Sequence, residues 1–225
     1  SDIIIDTANS LSLKIKNDNF SYLIDDILPK IYKKDKDKGA YVFDVTSRLN
    51  IFRDLTNYKK TMNVISKLLN LKKNQIISAK FSLFLFTKYH KKNAIGWHQE
   101  SGYYSDPKNK NFQYLKKNNS LFTWIPITDT WHGNGALVLM PRSHNAKNIS
   151  HNKNLFSKRY KGSLNRRGEI YIKNLSKVER KYPKKEISSK SGDIIFVDSN
   201  TLHKSGKNIT NKTRVGVIMR FGERF

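Results

Sequence analysis

Two histidines, one glutamate and one arginine are the residues of this chain whose types and spacing could do chemistry together. His98 and Glu100 stand in Trp97-His98-Gln99-Glu100, His203 ends the stretch from Gly192-Asp193 to Leu202-His203, and Arg214 follows eleven residues later. Two imidazoles and one carboxylate are the donor set of a facial mononuclear Fe(II) site. In extended chain, residues i and i+2 point to the same face, so His98 and Glu100 can reach one ion from one edge of a strand. Three protein ligands leave three coordination positions, room for a bidentate 2-oxo acid and O2. A guanidinium at Arg214 suits the far carboxylate of that acid, through a charge-assisted and bidentate contact. The chemistry these residues point to is oxygenation.

A lone His-x-Glu says little. An exposed strand pair is the plain alternative for His98 and Glu100, a satisfied core histidine that for His203, and a surface ion pair that for Arg214. The surroundings weigh against these. Leu121-Phe-Thr-Trp-Ile-Pro-Ile-Thr128 is followed by Gly133-Asn-Gly-Ala-Leu-Val-Leu-Met-Pro-Arg-Ser-His144, then by His203-Lys-Ser-Gly-Lys-Asn208 and Thr213-Arg214. In order and spacing, over roughly residues 78–222, this resembles the phytanoyl-CoA dioxygenase-like branch of the Fe(II)/2-oxoglutarate oxygenases. The resemblance implies iron on His98, Glu100 and His203, with 2-oxoglutarate and O2 as cosubstrates. It implies Arg214 on the distal carboxylate of 2-oxoglutarate, and Ser205 and Trp124 lining the same pocket. Two positions depart from the family pattern. Glu100 stands where most relatives have Asp, still a hard oxygen ligand but one methylene longer. Its presence argues against halogenation, for which relatives replace this carboxylate by a small residue. Arg142 replaces the turn glycine of Pro-Gly-Ser-His, a position that needs only to tolerate a side chain. Gly133 and Gly135 are expected to serve backbone geometry. His90, His132, His144 and His151 read as turn, capping or surface residues, His144 with a structural hydrogen bond in its Pro-x-Ser-His turn.

The elements that must position these residues read as helices first and strands afterwards. Asp18 to Lys34 carries Phe20, Leu23, Ile24, Ile27, Leu28 and Ile31 at helical spacing, and a second helix is expected from Asp54 to Leu71. From Gln75 the pattern turns aromatic and β-branched. Strands are expected at Ile76–Lys88, Leu121–Thr128, Ala136–Met140, Lys185–Ser188, Asp193–Val197, Thr201–Lys204 and Thr213–Phe221. Tyr103–Asn119 reads as a loop, and residues 145–183 as an insertion without firm periodicity. The expected architecture is mainly β with flanking helices: a cupin-like double-stranded β-helix, or jelly roll, with N-terminal helices packed outside one sheet. One domain is expected over residues 1–225, helical over 1–74 and forming the jelly-roll core over 75–225.

Composition sets the outer limits. The 225 residues include no cysteine, which removes disulfides and thiolate chemistry and suits a reducing cytoplasm. Apolar runs such as Leu83-Phe-Leu-Phe86 are too short to span a bilayer, and the N-terminus shows no export pattern. The net charge of +25 fits an anionic partner, though joint enrichment in Lys and Asn is also what AT-rich codon usage produces. Residues 145–190 hold fourteen Lys and Arg against three Glu, so a basic insertion stands near the expected active site. The first reading is hydroxylation of an unactivated C–H in a small, anionic metabolite, sugar or biosynthetic intermediate, with release of succinate and CO2. Arg166 and Arg167 are its candidate substrate contacts. The alternatives are a nucleic-acid-associated protein using its basic surface and a metal-binding jelly roll without oxygenase activity.

Overall fold

The computed structural model describes residues 1–46, 49–86, 95–104, 115–146, 149–154 and 169–224. Arg166, Arg167 and His90 lie outside the described residues. The N-terminal region holds helices α1 (Asp2–Ser10), α2 (Phe20–Tyr22), α3 (Leu28–Lys34), α4 (Lys36–Thr46), α5 (Asn50–Thr56) and α6 (Lys59–Leu69). A π-helical turn, Leu23–Ile27, joins α2 to α3, so the expected helix is continuous over 20–34. Asn19 caps its start by accepting the Tyr22 N–H at 2.8 Å. The single helix expected over 54–71 is instead α5 and α6. After α5 the N–H groups of Asn57 and Tyr58 fold back on Asp54 and Leu55, and α6 closes on the left-handed Asn70. Helices α1 and α4 were not expected: the Ile3-Ile4-Ile5 run suits a strand as well as a helix, and α4 contains Gly39. That glycine lets the α3–α4 pair close up, since a Cβ there would fall on the Tyr32 ring.

Among the described residues nine strands follow: β1 (Ile76–Phe86), β2 (Leu115–Pro126), β3 (Leu137–Leu139), β4 (His151–Asn154), β5 (Glu169–Ile172), β6 (Lys185–Ile187), β7 (Ile195–Asp198), β8 (His203–Ser205) and β9 (Arg214–Arg224). Their pairings are antiparallel, in a four-stranded sheet of order β1-β9-β2-β7, a three-stranded sheet of order β6-β3-β8 and a β4-β5 pair. Residues 95–98 extend the second sheet along β8, through Ser205 N–H to Ile95 O and a reciprocal pair of bonds between His98 and His203. The result is the expected jelly roll with helices outside one sheet. Of the expected loop over 103–119, Tyr103 and Tyr104 belong to a short helix α7 (Ser101–Tyr104), and β2 starts already at Leu115. Within the 145–183 insertion stand β4, β5 and α8 (Leu175–Lys181), none of them expected.

Alternation along β2 and β9 separates the two faces of the larger sheet. Leu121, Ile125, Val215, Val217, Met219 and Phe221 pack with Leu23, Ile27, Ile31 and Ile65 of the helices. Phe122, Trp124 and Ile218 face inward with Val197 of β7 and Leu137 of β3. Arg214, Gly216 and Arg220 share the parity of Ile218, so β9 sends two arginines to the interior, one at each end of the site.

Candidate metal centre

His98 and His203 are directly opposed residues: each N–H donates to the other's carbonyl at 3.0 Å. That pairing brings two imidazoles from points far apart in sequence to the same edge, with ring centroids 4.1 Å apart. Each ring is fixed by its own backbone, His98 Nδ1 at 2.8 Å from Gly96 O and His203 Nδ1 at 2.9 Å from Thr201 O. Since a carbonyl accepts only, Nδ1 carries the proton and Nε2 presents a lone pair. Glu100 Oε1 lies 3.7 Å from His98 Nε2 and 3.6 Å from His203 Nε2. One donor atom from each residue falls within 4.8 Å of the others, and all three side chains are buried. Ligands about 2.1 Å from a shared ion and at right angles sit about 3 Å apart, so a small inward movement completes a facial site. His203 Nε2 is buried and has no hydrogen-bond partner among the described residues. A buried ring nitrogen facing a carboxylate and a second imidazole fits a metal. The extended segment ends sooner than expected, because Glu100 stands in the turn into α7.

The sequence reading missed Arg220. Its Nε donates to Glu100 Oε2 at 2.7 Å and its Nη2 to Oε1 at 3.2 Å, a side-on clamp with both partners buried. Burial alone would raise the Glu100 carboxyl, but the Arg220 charge and hydrogen bonds, with the two imidazoles facing it, hold it well below the ordinary range. Burial and the neighbouring His98 lower His203, against the opposing pull of Glu100. Tyr104, whose hydroxyl exchanges a hydrogen bond with Ser199 Oγ at 3.2 Å, is pushed up by burial and then by the Glu100 charge. The one available signal for Arg220 was its parity with Arg214 across the otherwise apolar stretch 215–222.

Arg214 is buried, and its guanidinium carbon lies 4.7 Å from the centroid of the Trp124 ring. Burial pulls this guanidinium down to about 9, the situation an anionic ligand relieves. The Trp124 indole N–H is buried without a hydrogen-bond partner among the described residues. Its ring occupies the space where a Cβ on Gly216 would stand. Phe122 covers His203 with centroids 4.5 Å apart. Ser205 is two residues from His203 on β8, hence on the same face.

A family model described as phytanoyl-CoA dioxygenase (PhyH) matches residues 25–216. The chain belongs to the phytanoyl-CoA dioxygenase family. Members of that family are non-haem iron and 2-oxoglutarate oxygenases, with Fe(II), 2-oxoglutarate and O2 as cofactors. Among solved structures, the fold is similar to the epimerase SnoN in complex with Fe3+, alpha ketoglutarate and nogalamycin RO (16% identity, TM-score 0.56, covering 80% of this chain and 61% of that one). It is similar to EvdO2 from Micromonospora carbonacea var. aurantiaca (16%, TM-score 0.58, 78% and 64%). It is also similar to EctD from S. alaskensis with bound Fe (15%, TM-score 0.52, 72% and 49%). The chain spans about half to two thirds of the length of these neighbours. No curated protein matches the sequence.

Several neighbouring residues hold the candidate ligands in place. Gln99, fully buried between two ligand positions, donates from Nε2 to Asn200 O at 2.5 Å and accepts the Ile149 N–H at 3.0 Å on Oε1. Its own N–H donates to His151 Nε2 at 3.2 Å, so His151 supports the ligand segment. Among the described residues, the structural hydrogen bond of the Pro-Arg-Ser-His turn is made by Ser143 and not by His144. Ser143 Oγ accepts the Leu202 N–H at 2.8 Å, beside His203, while His144 is exposed. His132 pairs at the surface with Glu186. Arg142 adopts φ 66°, the left-handed conformation that glycine takes without steric cost; Gly133 and Gly135, at φ 91° and 90°, also take positive φ.

Proposed function

We propose that this chain is an Fe(II)/2-oxoglutarate-dependent oxygenase in which His98, Glu100 and His203 hold the iron. The observation that carries the reading is the convergence of His98 Nε2, Glu100 Oε1 and His203 Nε2, the last without a hydrogen bond among the described residues, in one buried corner. When bound, iron supplies the activation of O2 at the expense of 2-oxoglutarate, giving succinate and CO2. The protein supplies the rest. Backbone carbonyls at Gly96 and Thr201 fix the two imidazoles in the Nε2-ligating tautomer. Arg220 keeps Glu100 ionised and aimed. Arg214 binds the distal carboxylate of 2-oxoglutarate, Trp124 supports the guanidinium and offers its N–H to an acceptor, and Ser205 lines the pocket. Phe122 shields the His203 side from water.

Hydroxylation of an unactivated C–H is the proposed outcome, on a small anionic metabolite, sugar or biosynthetic intermediate. The basic balance of residues 145–190 supports the anionic class, with Arg166 and Arg167 as proposed contacts. Changing both to Gln is expected to weaken an anionic substrate by about 1–3 kcal/mol, with 2-oxoglutarate affinity kept. Unchanged substrate constants at low salt would remove that assignment, and a shallower salt slope for DNA or RNA would favour the nucleic-acid reading. For the oxygenase itself the test is thermal shift with succinate release. Fe(II) and 2-oxoglutarate together are expected to raise Tm more than either alone. His203→Ala is expected to abolish turnover, and Arg214→Ala to act mainly through the 2-oxoglutarate requirement. Normal metal binding and turnover in His203→Ala would refute the ligand set.

A further inference from the structure

Pro29 stands inside the continuous helical stretch 20–34 and brings no N–H to it. Around it the helix widens: the Leu28 N–H returns to the Leu23 carbonyl, five residues back, across the π-helical turn Leu23–Ile27. This leaves the Ile24 carbonyl without a helical donor. Its α-helical donor, Leu28 N–H, is committed to Leu23, and its π-helical donor would be the proline nitrogen. The carbonyl accepts instead from Thr213 Oγ1 at 2.6 Å. Beside it, Asp25 Oδ1 accepts the Thr213 N–H at 2.6 Å, and Asp25 Oδ2 pairs with Lys212 Nζ at 3.0 Å. Thr213 is 3% exposed. The residue gripped at both its backbone nitrogen and its hydroxyl is the one before Arg214.

Arg214 needs such a hold. It opens β9, paired on one edge with Phe86 of β1; on the other edge the register with β2 ends at Gly216 opposite Pro126, beyond which Val215 O accepts the Ile127 N–H at 2.9 Å but the Val215 N–H turns to the Thr128 hydroxyl at 3.0 Å. On that side, the strand end carrying the buried guanidinium is set by contacts other than a regular ladder. We propose that the widened helical turn, through the Ile24 carbonyl and Asp25, sets the position of Arg214, with Asp25 and Thr213 as positioning residues for 2-oxoglutarate. This rests on Arg214 being the anchor of the distal carboxylate. It assigns to the N-terminal helices a role in cosubstrate selection, beyond covering the sheet.

The test uses the full chain loaded with Fe(II) under anaerobic conditions. Titrations with 2-oxoglutarate and with pyruvate, which chelates alike but lacks the distal carboxylate, are followed by the visible charge-transfer absorbance. Thr213→Val is expected to weaken 2-oxoglutarate roughly tenfold, to leave pyruvate and Fe(II) affinities unchanged, and to be rescued by Thr213→Ser. Arg214→Ala runs alongside. If it leaves 2-oxoglutarate binding unchanged, the anchor reading falls and the proposal with it. If Arg214→Ala weakens 2-oxoglutarate but Thr213→Val does not, or weakens pyruvate equally, the positioning role is overturned and the anchor stands. Should Thr213→Val fail to fold by circular dichroism, Asp25→Ala replaces it with the same criteria.

Discussion

A carboxylate whose two oxygens both face one guanidinium is already ionised and aimed before a cation arrives, and this is the state of Glu100. Taking Arg220 away leaves a buried charge uncompensated, which typically costs about 3–5 kcal/mol. Arg220→Leu is therefore expected to lose that much in urea unfolding of the metal-free protein, and less once Fe(II) supplies a positive charge in its place. An equal loss with and without metal would show that the clamp serves the fold alone. The same corner sets an acid limit. His203 has a lowered pKa, so below the ordinary imidazole value of about 6.5 the unfolded chain binds a proton that the folded one refuses, and stability falls with pH. Glu100 has a depressed pKa, so its contribution is present above about 4.3 and is lost as pH falls further. In chelator, Tm is expected to drop first on crossing the imidazole range, and His203→Asn to remove that first drop. His98, Glu100, His203 and Arg214 could be proposed from type and spacing, because donor chemistry is a local property. Arg220 could not: its role depends on which face of β9 turns toward Glu100, and that is fixed by pairing across the sheet.

At the scale of elements, β9 serves two clients. One face packs on the helices and the other carries Arg214, Gly216, Ile218 and Arg220 past the site. Gly216 is the position at which the two demands meet, because Trp124 lies where its side chain would be. Gly216→Ala is expected to displace the indole from beneath Arg214 and to weaken 2-oxoglutarate binding by roughly tenfold or more, with Fe(II) affinity retained. Unchanged 2-oxoglutarate binding would show that Trp124 does not support the anchor. The strands were legible in sequence wherever apolar and β-branched residues alternate, as in Leu121 to Ile125 and Val215 to Phe221. The start of β2 was not, since Lys116 to Ser120 is polar throughout and is drawn into the sheet by β9 rather than by its own propensity. Helices α1 and α4 escaped for a related reason: their burial against α3 decides them, and a single-sequence pattern does not contain the neighbour.

For the molecule as a whole, the family match over 25–216 includes most of the helical layer, so these helices are part of what the chain shares with its family. No described helix is long and apolar enough to cross a membrane. The order of helices before strands revealed this architecture from sequence, whereas the basic insertion carried charge without pattern and gave no structure to read. His98 and His203 are paired backbone to backbone at the sheet edge, and their side chains converge on the same point. A cation held there is a removable stitch across the pair, closing the stretch of chain between them. Opening that edge with the ion in place means breaking coordinate bonds as well as two hydrogen bonds, so the amide protons of His98 and His203 become clocks for metal residence. In deuterium exchange they are expected to slow markedly on loading with a redox-inert divalent ion, while amides of α1, away from the stitch, keep their pace.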